Sequence, residues 1–553
     1  MRQTGPFIVA TVTVLLVVVA IPLLFVVLQA VFPDIGAASL AGAFSRVADV
    51  LGDPAVARLT ANTLLLGVTV VGGSALVAVP LAVVRALYRV PFAAAWDVAL
   101  LVPFMIPPYI AALGWIMTLQ PRGYLDQLVG FHLGPFLFSF WGVAAVMVLN
   151  VFPAVYFAMS RTMEAVGGRY LDVARLCGAS QWRALLRIGL PLATPGLAAS
   201  LLLVFAMTIE EYGTPAALGA RSGFLVLVTG IDSRVSDWPI DLPGAAILSL
   251  ILVGLSLVAF VVQLRIVARR SYDIIGGRPS SSDKKPLGRW CVPVLALFAA
   301  VALLATGAPL FAILASALSE TISGGLALDN LGLRHFERLA ADQGGGLRAL
   351  GNSLALGAAA ALITGLIGTA TAYLTVRTRL RGRHALDALT VLPNAIPAIV
   401  VAVGLILAWN QAWWPVTPYN TPAILLLAYC CILLPYPVRY ANAAFRQIGD
   451  SLDSAARIAG AAPMTVLRRI LVPLVLPSVI SAMLLVFAIA SRELVSSILL
   501  APPGMQTVAT FIWRQFEQGS VGLGMAMSAV AIAVTTTIPL AVALATRRIA
   551  MDR

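Results

Sequence analysis

Apolar residues in this chain come in long runs rather than in alternation. Stretches of about 20 residues or more lie near 6–31, 62–87, 96–119, 140–160, 192–212 and 243–267. Six more lie near 290–315, 353–376, 385–409, 422–440, 474–494 and 521–545. A helix of that length covers the hydrocarbon core of a bilayer, whereas barrel strands would read as short alternating segments. The pattern predicts an all-α integral membrane protein with about twelve transmembrane helices. The first run is longer than the core of a secretory signal and lacks a small-residue cleavage site, so it reads as an uncleaved span. Between 265 and 289 the apolar pattern gives way to Gly, Ser, Pro and positive charge, the composition of a linker. The expected plan is a six-span half over 1–270, a linker over 271–289 and a second six-span half over 290–553.

The two halves repeat each other. DVARLCGASQWRALLRIGLP, from Asp172 to Pro191, returns as SAARIAGAAPMTVLRRILVP, from Ser454 to Pro473, at a constant offset (460 − 178 = 282). NTLLLG at Asn62 returns as NSLALG at Asn352, and Pro103, Pro107 and Gly114 return as Pro393, Pro397 and Gly404 (404 − 114 = 290). An even number of spans per half makes the repeats parallel and pseudo-symmetric about the membrane normal.

Composition narrows the class further. The chain is 60% hydrophobic and 11% charged, far from the roughly 25% charge of a soluble domain. The net charge of +13 concentrates in both terminal regions, the linker, the repeated motifs and the loops near Arg85 and Arg377. The positive-inside bias then places those regions, and both termini, in the cytoplasm. This distribution accounts for the charge without nucleic acid, as topology and lipid contact. The three histidines are scattered and the four cysteines show no metal-ligand spacing, so neither a metal site nor a catalytic residue is expected. The two lysines, Lys284 and Lys285, lie outside any phosphate-binding loop signature. ATP and Mg, if used, belong to a partner.

Each repeated motif reads as a short helix ending at Gly178 or Gly460, then a basic stretch leading to Pro191 or Pro473. Glycine permits the tight turn after a helix C-terminus, and proline suits the first turn of the next span. Two readings fit: a rigid knob for a partner's groove, or an interfacial amphipathic helix lying on lipid. Two matched copies favour the knob.

The pattern resembles the EAA loop of ABC-importer permeases, in which E-A-A-x-x-x-G is followed after nine residues by I-x-L-P. Here it reads Asp172, Val173, Ala174, Gly178, Ile188, Leu190, Pro191, and again Ser454, Ala455, Ala456, Gly460, Ile470, Val472, Pro473. The leading Glu is replaced by Asp172 and Ser454. The resemblance implies the type I ABC importer permease fold, with coupling loops over 164–191 and 446–473 seated in two copies of an ATPase subunit. It also implies an extracytoplasmic binding protein and a bacterial inner-membrane location. The stretches following the motifs, LLLVFAMTIEEYGTPAALG and MLLVFAIASRELVSSILLAPPG, resemble the fused permeases of ferric-iron importers and their relatives for thiamine, polyamines and aminoethylphosphonate.

Translocation-path candidates are Glu210, Glu211, Arg492 and Glu493, together with Pro107 and Pro397. Glu211 and Glu493 are equivalents (493 − 211 = 282) near the outer ends of paired spans, where a charge faces a cavity or a partner. They would either line an outer gate, attracting a cation, which favours ferric iron as cargo, or pairing with the docked binding protein, or serve structure alone. Prolines inside a span free backbone groups that a cavity or a neighbouring helix must satisfy. The alternative from another class is a secondary transporter with two six-span halves, suggested only by RTRLRGRH at Arg377 to His384.

Overall fold

A computed structural model describes residues 5–269, 284–342, 344–378 and 380–551. Most of the expected linker, 271–283, lies outside the described residues, as does residue 270. Among those described, nine helices are long and apolar enough to cross a membrane: Gly5–Val31, Pro54–Leu87, Phe140–Glu164, Gln181–Glu210, Leu242–Ile266, Gly288–Leu318, Gly346–Arg377, Pro463–Ala490 and Val521–Pro539. Three bent helix pairs raise the number to twelve if each pair is one span.

The third element of each half departs from a simple span. Ala93–Met105 and Pro108–Val129 meet at 98°, and Arg383–Ala395 and Ala398–Trp409 meet at 112°. The cause is local. Ile106 and Ile396, each just before a proline, are extended, and Pro107 and Pro397 continue that conformation. In the first half the freed carbonyls find a partner, because the buried Asn150 Nδ2 donates to Pro103 O at 2.9 Å and to Ile106 O at 3.3 Å. The fourth element of the second half bends more gently, by 44° between Pro422–Leu433 and Pro435–Gln447.

The chain forms two compact units, one of 1–53, 231–253 and 332–553, the other of 54–230 and 254–331. In the first, the N-terminal span packs against the second half: the Cα of Gly404 comes so close that a Cβ there would lie 2.5 Å from Pro22 O. In the other, the first span of the second half packs against the first half, and a Cβ on Gly114 would lie 3.1 Å from Pro309 O. Each half thus lends its first span to the core of its counterpart. At Gly404 a side chain would force the helices apart, so that close approach requires Gly, whereas at Gly114 the neighbouring backbone would have to give by only a few tenths of an ångström.

Within each unit the second span is tied to the segment that follows the fifth. Asn62 Nδ2 donates to Leu225 O at 2.8 Å, and the Thr63 hydroxyl accepts from Leu227 N at 2.8 Å. Asn352 Nδ2 donates to Gln506 O at 2.9 Å, and the Ser353 hydroxyl accepts from Val508 N at 2.8 Å. The repeated Asn-Thr and Asn-Ser pairs therefore do one job twice, satisfying backbone groups at the start of a short helix. Matched π-helical turns add to the equivalence, at Leu16–Ala20 and Leu303–Gly307 in the first spans and at Leu185–Gly189 and Leu467–Leu471 leading into the fifth.

Candidate functional site

The repeated motif folds into a helix end, a left-handed glycine and a second short helix. Gly178 has φ +88° and Gly460 φ +84°. Immediately after each, Ala179 N donates to Ala174 O and Ala461 N to Ala456 O, both at 3.0 Å. This is the six-to-one bond of the Schellman motif, which requires the glycine four residues after the accepting carbonyl. That geometry explains the spacing from Ala174 to Gly178 and from Ala456 to Gly460. The next helix starts differently in each copy. Ser180 Oγ accepts from Arg183 N in the first, and Pro463 occupies the first turn of the second.

One expectation needs correction. The helix before Gly178 is not a separate short element: the fourth span runs unbroken over 37 residues from Phe140 to Leu176. In the second copy the helix is separate, Asp450–Ile458, because Ile448 is extended (φ −81°, ψ 124°) and Gly449 follows it.

The motif residues divide by burial. Ala174 joins Leu171 and Ala184 in a small core, against which Leu87, Ala179 and Ile188 pack. Ala174 and Ile188 thereby hold the turn together from inside. Val173, Gly178 and Pro191 face outward, as do Ala455, Gly460 and Pro473, while Asp172, Leu190, Ala456, Ile470 and Val472 are half-buried. Ser454 lies on the Asp450–Ile458 helix.

Leu176 and Ile458, absent from the motif as read in the sequence, are the most prominent residues of the two turns. Each is 88% exposed, and they occupy the same register (458 − 176 = 282). Trp182 and Leu186 extend the exposed apolar surface of the first turn. Both turns thus hold a large aliphatic side chain outward at the same place.

The path candidates divide as well. Glu211 follows the fifth span, and its Oε2 and Oε1 accept from Thr214 N at 2.9 and 3.1 Å. Glu493 does the same at the equivalent place, accepting from Ser496 N at 3.0 and 3.1 Å and from Ser497 N at 3.2 Å. Both carboxylates cap the first turn of the segment that follows, satisfying otherwise unpartnered amides. Glu210 has its Oε1 buried without a hydrogen-bond partner, beside the Ser256 hydroxyl. Arg492 is half-buried and has a polar or electrostatic partner of its own. Pro107 and Pro397 sit at the two sharp bends.

A two-fold repeat of apolar helices, with matched turns and matched caps beyond the fifth spans, describes a multi-pass membrane component built of two equivalent halves. The family comparison agrees: residues 74–272 and 364–551 match the binding-protein-dependent transport system inner membrane component, and the chain belongs to that family. It is 26% identical over 500 residues to the ferric transport system permease protein FbpB of Actinobacillus pleuropneumoniae, covering 86% of this chain and 69% of that protein. It is 23% identical over 513 residues to the Fe(3+)-transport system permease protein FbpB 2 of Haemophilus influenzae, covering 91% of each. A shorter match, 28% over 213 residues and 38% of this chain, joins it to the putative 2-aminoethylphosphonate transport system permease protein PhnV of Salmonella paratyphi A. The chain is therefore a multi-pass inner-membrane permease of an ABC importer, a transport component rather than an enzyme, working with an ATPase and a substrate-binding protein.

Proposed function

We propose that this permease forms the path for ferric iron delivered by an extracytoplasmic binding protein, with two ATPase subunits seated on its two turns. ATP and Mg are bound by those subunits, and both termini and the basic turns face the cytoplasm. The observation that carries the docking role is the pair of aliphatic tips, Leu176 and Ile458, equally exposed at one register on glycine-fixed turns. Closure of the ATPases on nucleotide moves the turns. The unbroken Phe140–Leu176 helix passes that motion straight into the fourth span, so access alternates between the halves.

Iron is favoured because the long matches are named for ferric transport, whereas the aminoethylphosphonate match spans a smaller part of the chain. Among the described residues no three His, Cys, Asp or Glu side chains gather to hold a metal ion. In this reading the binding protein selects the cargo, and the permease supplies passage. Glu211 and Glu493 serve that passage by fixing the turns after the fifth spans.

The test is reconstitution of the full chain with its ATPase and a ferric-binding protein in proteoliposomes. Iron-loaded binding protein should stimulate ATP hydrolysis and iron uptake. Leu176→Asp together with Ile458→Asp should abolish co-purification of the ATPase. Stimulation by an aminoethylphosphonate-loaded protein and not by the iron-loaded one would replace the cargo while leaving the machinery intact.

A further inference from the structure

The two lysines of the chain sit side by side where the linker re-enters the described structure, and both reach back to the first turn. Lys285–Pro286 pairs in parallel with Tyr88–Arg89 at the end of the second span. Lys285 Nζ donates to Asp172 Oδ1 at 2.6 Å, and Lys284 Nζ donates to Glu164 Oε1 at 2.8 Å and to Arg85 O at 3.0 Å. Behind them Arg85 binds Asp97 at 2.7 Å and lies 3.7 Å from Glu164. Tyr156 donates to Asp97 at 2.7 Å. Residues 284–286 are thus fastened to the second and fourth spans and to the motif itself, with the third span joined to that network through Arg85 and Asp97.

What lies beneath explains why fastening matters. The strand and the turn border a partly open pocket of about 1030 Å³, lined by Val83, Leu87, Leu171, Leu185, Leu190 and Trp290. In a close-packed interior, neighbouring side chains fix an element's position. The small core of Leu171, Ala174 and Ala184 packs the turn on Leu87, but beside the strand the pocket leaves that packing incomplete, and there the charged contacts and the strand pairing add to it. Those charges are partly exposed, Lys285 by 37% and Asp172 by 48%, and such pairs are weak individually. The restraint can therefore be released and remade within a transport cycle.

The sequence of the second copy does not repeat the two carboxylates. At the positions of Glu164 and Asp172 it carries Arg446 and Ser454 (446 − 164 = 282), a reversed charge and a neutral residue. We propose that residues 284–286 form a strap that positions the first ATPase-contacting turn, with Lys284 and Lys285 as positioning residues, whereas the approach to the second turn is held from its own half by Arg377, which donates to Phe445 O at 2.7 Å and to Ile448 O. The proposal rests on the docking role assigned above to the turns.

The test uses the full chain in complex with its ATPase in lipid nanodiscs, with ATP as the probe and no binding protein. Lys284→Gln with Lys285→Gln should raise basal hydrolysis roughly two- to five-fold, the scale set by exposed ion pairs. Exchanging the charges, Lys285→Asp with Asp172→Lys, should bring it back, an effect that general misfolding would not produce. With two lysines in the chain, zero-length carbodiimide coupling should join Lys284 to Glu164 and Lys285 to Asp172, as read by peptide mass spectrometry. Wild-type basal hydrolysis in the double Gln variant, or failure of both cross-links in the folded complex, would overturn the strap. Leu176→Asp separates the two ideas. If it uncouples the ATPase while the lysine variants do not, the strap alone falls; if it too is silent, the docking role falls with it.

Discussion

Gly178 and Gly460 show how a single residue sets the register of a contact. A Cβ at either position meets nothing within 4 Å, so the demand for glycine is purely a matter of backbone conformation. Left-handed backbone costs an ordinary L-residue about 1–2 kcal/mol, and Asn adopts it more readily than Ala. Gly178→Ala should therefore weaken ATPase association, measured by co-purification, and Gly178→Asn should retain most of it. The caps offer a parallel case. Gln keeps an acceptor and Ala does not, so Glu493→Ala should lower stability by about 0.5–2 kcal/mol, seen as a lower Tm in detergent, with Glu493→Gln closer to wild type. If Glu493→Gln abolishes iron uptake at full stability, the charge itself is needed and the gate reading gains over the cap. The glycine spacing was legible in the sequence because it repeats. Leu176 and Ile458 were not, since one more aliphatic residue in a chain so rich in them carries no signal until the turn shows it facing out.

At the scale of elements, the second spans are held by a short polar signature. Ser353 and Thr63 are each only 2% exposed, and each hydroxyl satisfies a backbone amide 155 or 164 residues away. Leaving such an amide unpaired costs about 1–3 kcal/mol. Ser353→Ala should accordingly lower thermal stability, whereas Ser353→Thr, which imports the first half's own residue, should be nearly neutral. The NTLLLG and NSLALG repeats announced an equivalence but not its partner, because the partner is backbone and backbone has no sequence. The proline breaks had the same limit. Pro107 and Pro397 could be read as interruptions, yet whether a span merely kinks or turns by about a right angle depends on what satisfies the freed carbonyls. In the first half that is Asn150, 47 and 44 residues from the two carbonyls it serves.

At the scale of the molecule, the repeat was plain in the sequence and the exchange of first spans was not. Hydropathy identifies a helix that belongs in lipid, but it does not choose among neighbours that are all apolar. Pro22 beside Gly404, and Pro309 beside Gly114, supply that choice. Since each half completes the other's core, residues 1–270 expressed alone should be degraded, and so should 284–553. Co-expressed, the two fragments should assemble into a complex that still binds the ATPase, as a pull-down from solubilised membranes would report.

The exchange also sets a timetable for synthesis. The N-terminal span, Gly5–Val31, leaves the ribosome long before Ala398–Trp409, the helix it packs on. At about 5–20 residues per second that gap lasts tens of seconds. Throughout it the helix waits in the bilayer without the partner it packs on, so assembly of this permease is governed by when each helix arrives as well as by how well it fits.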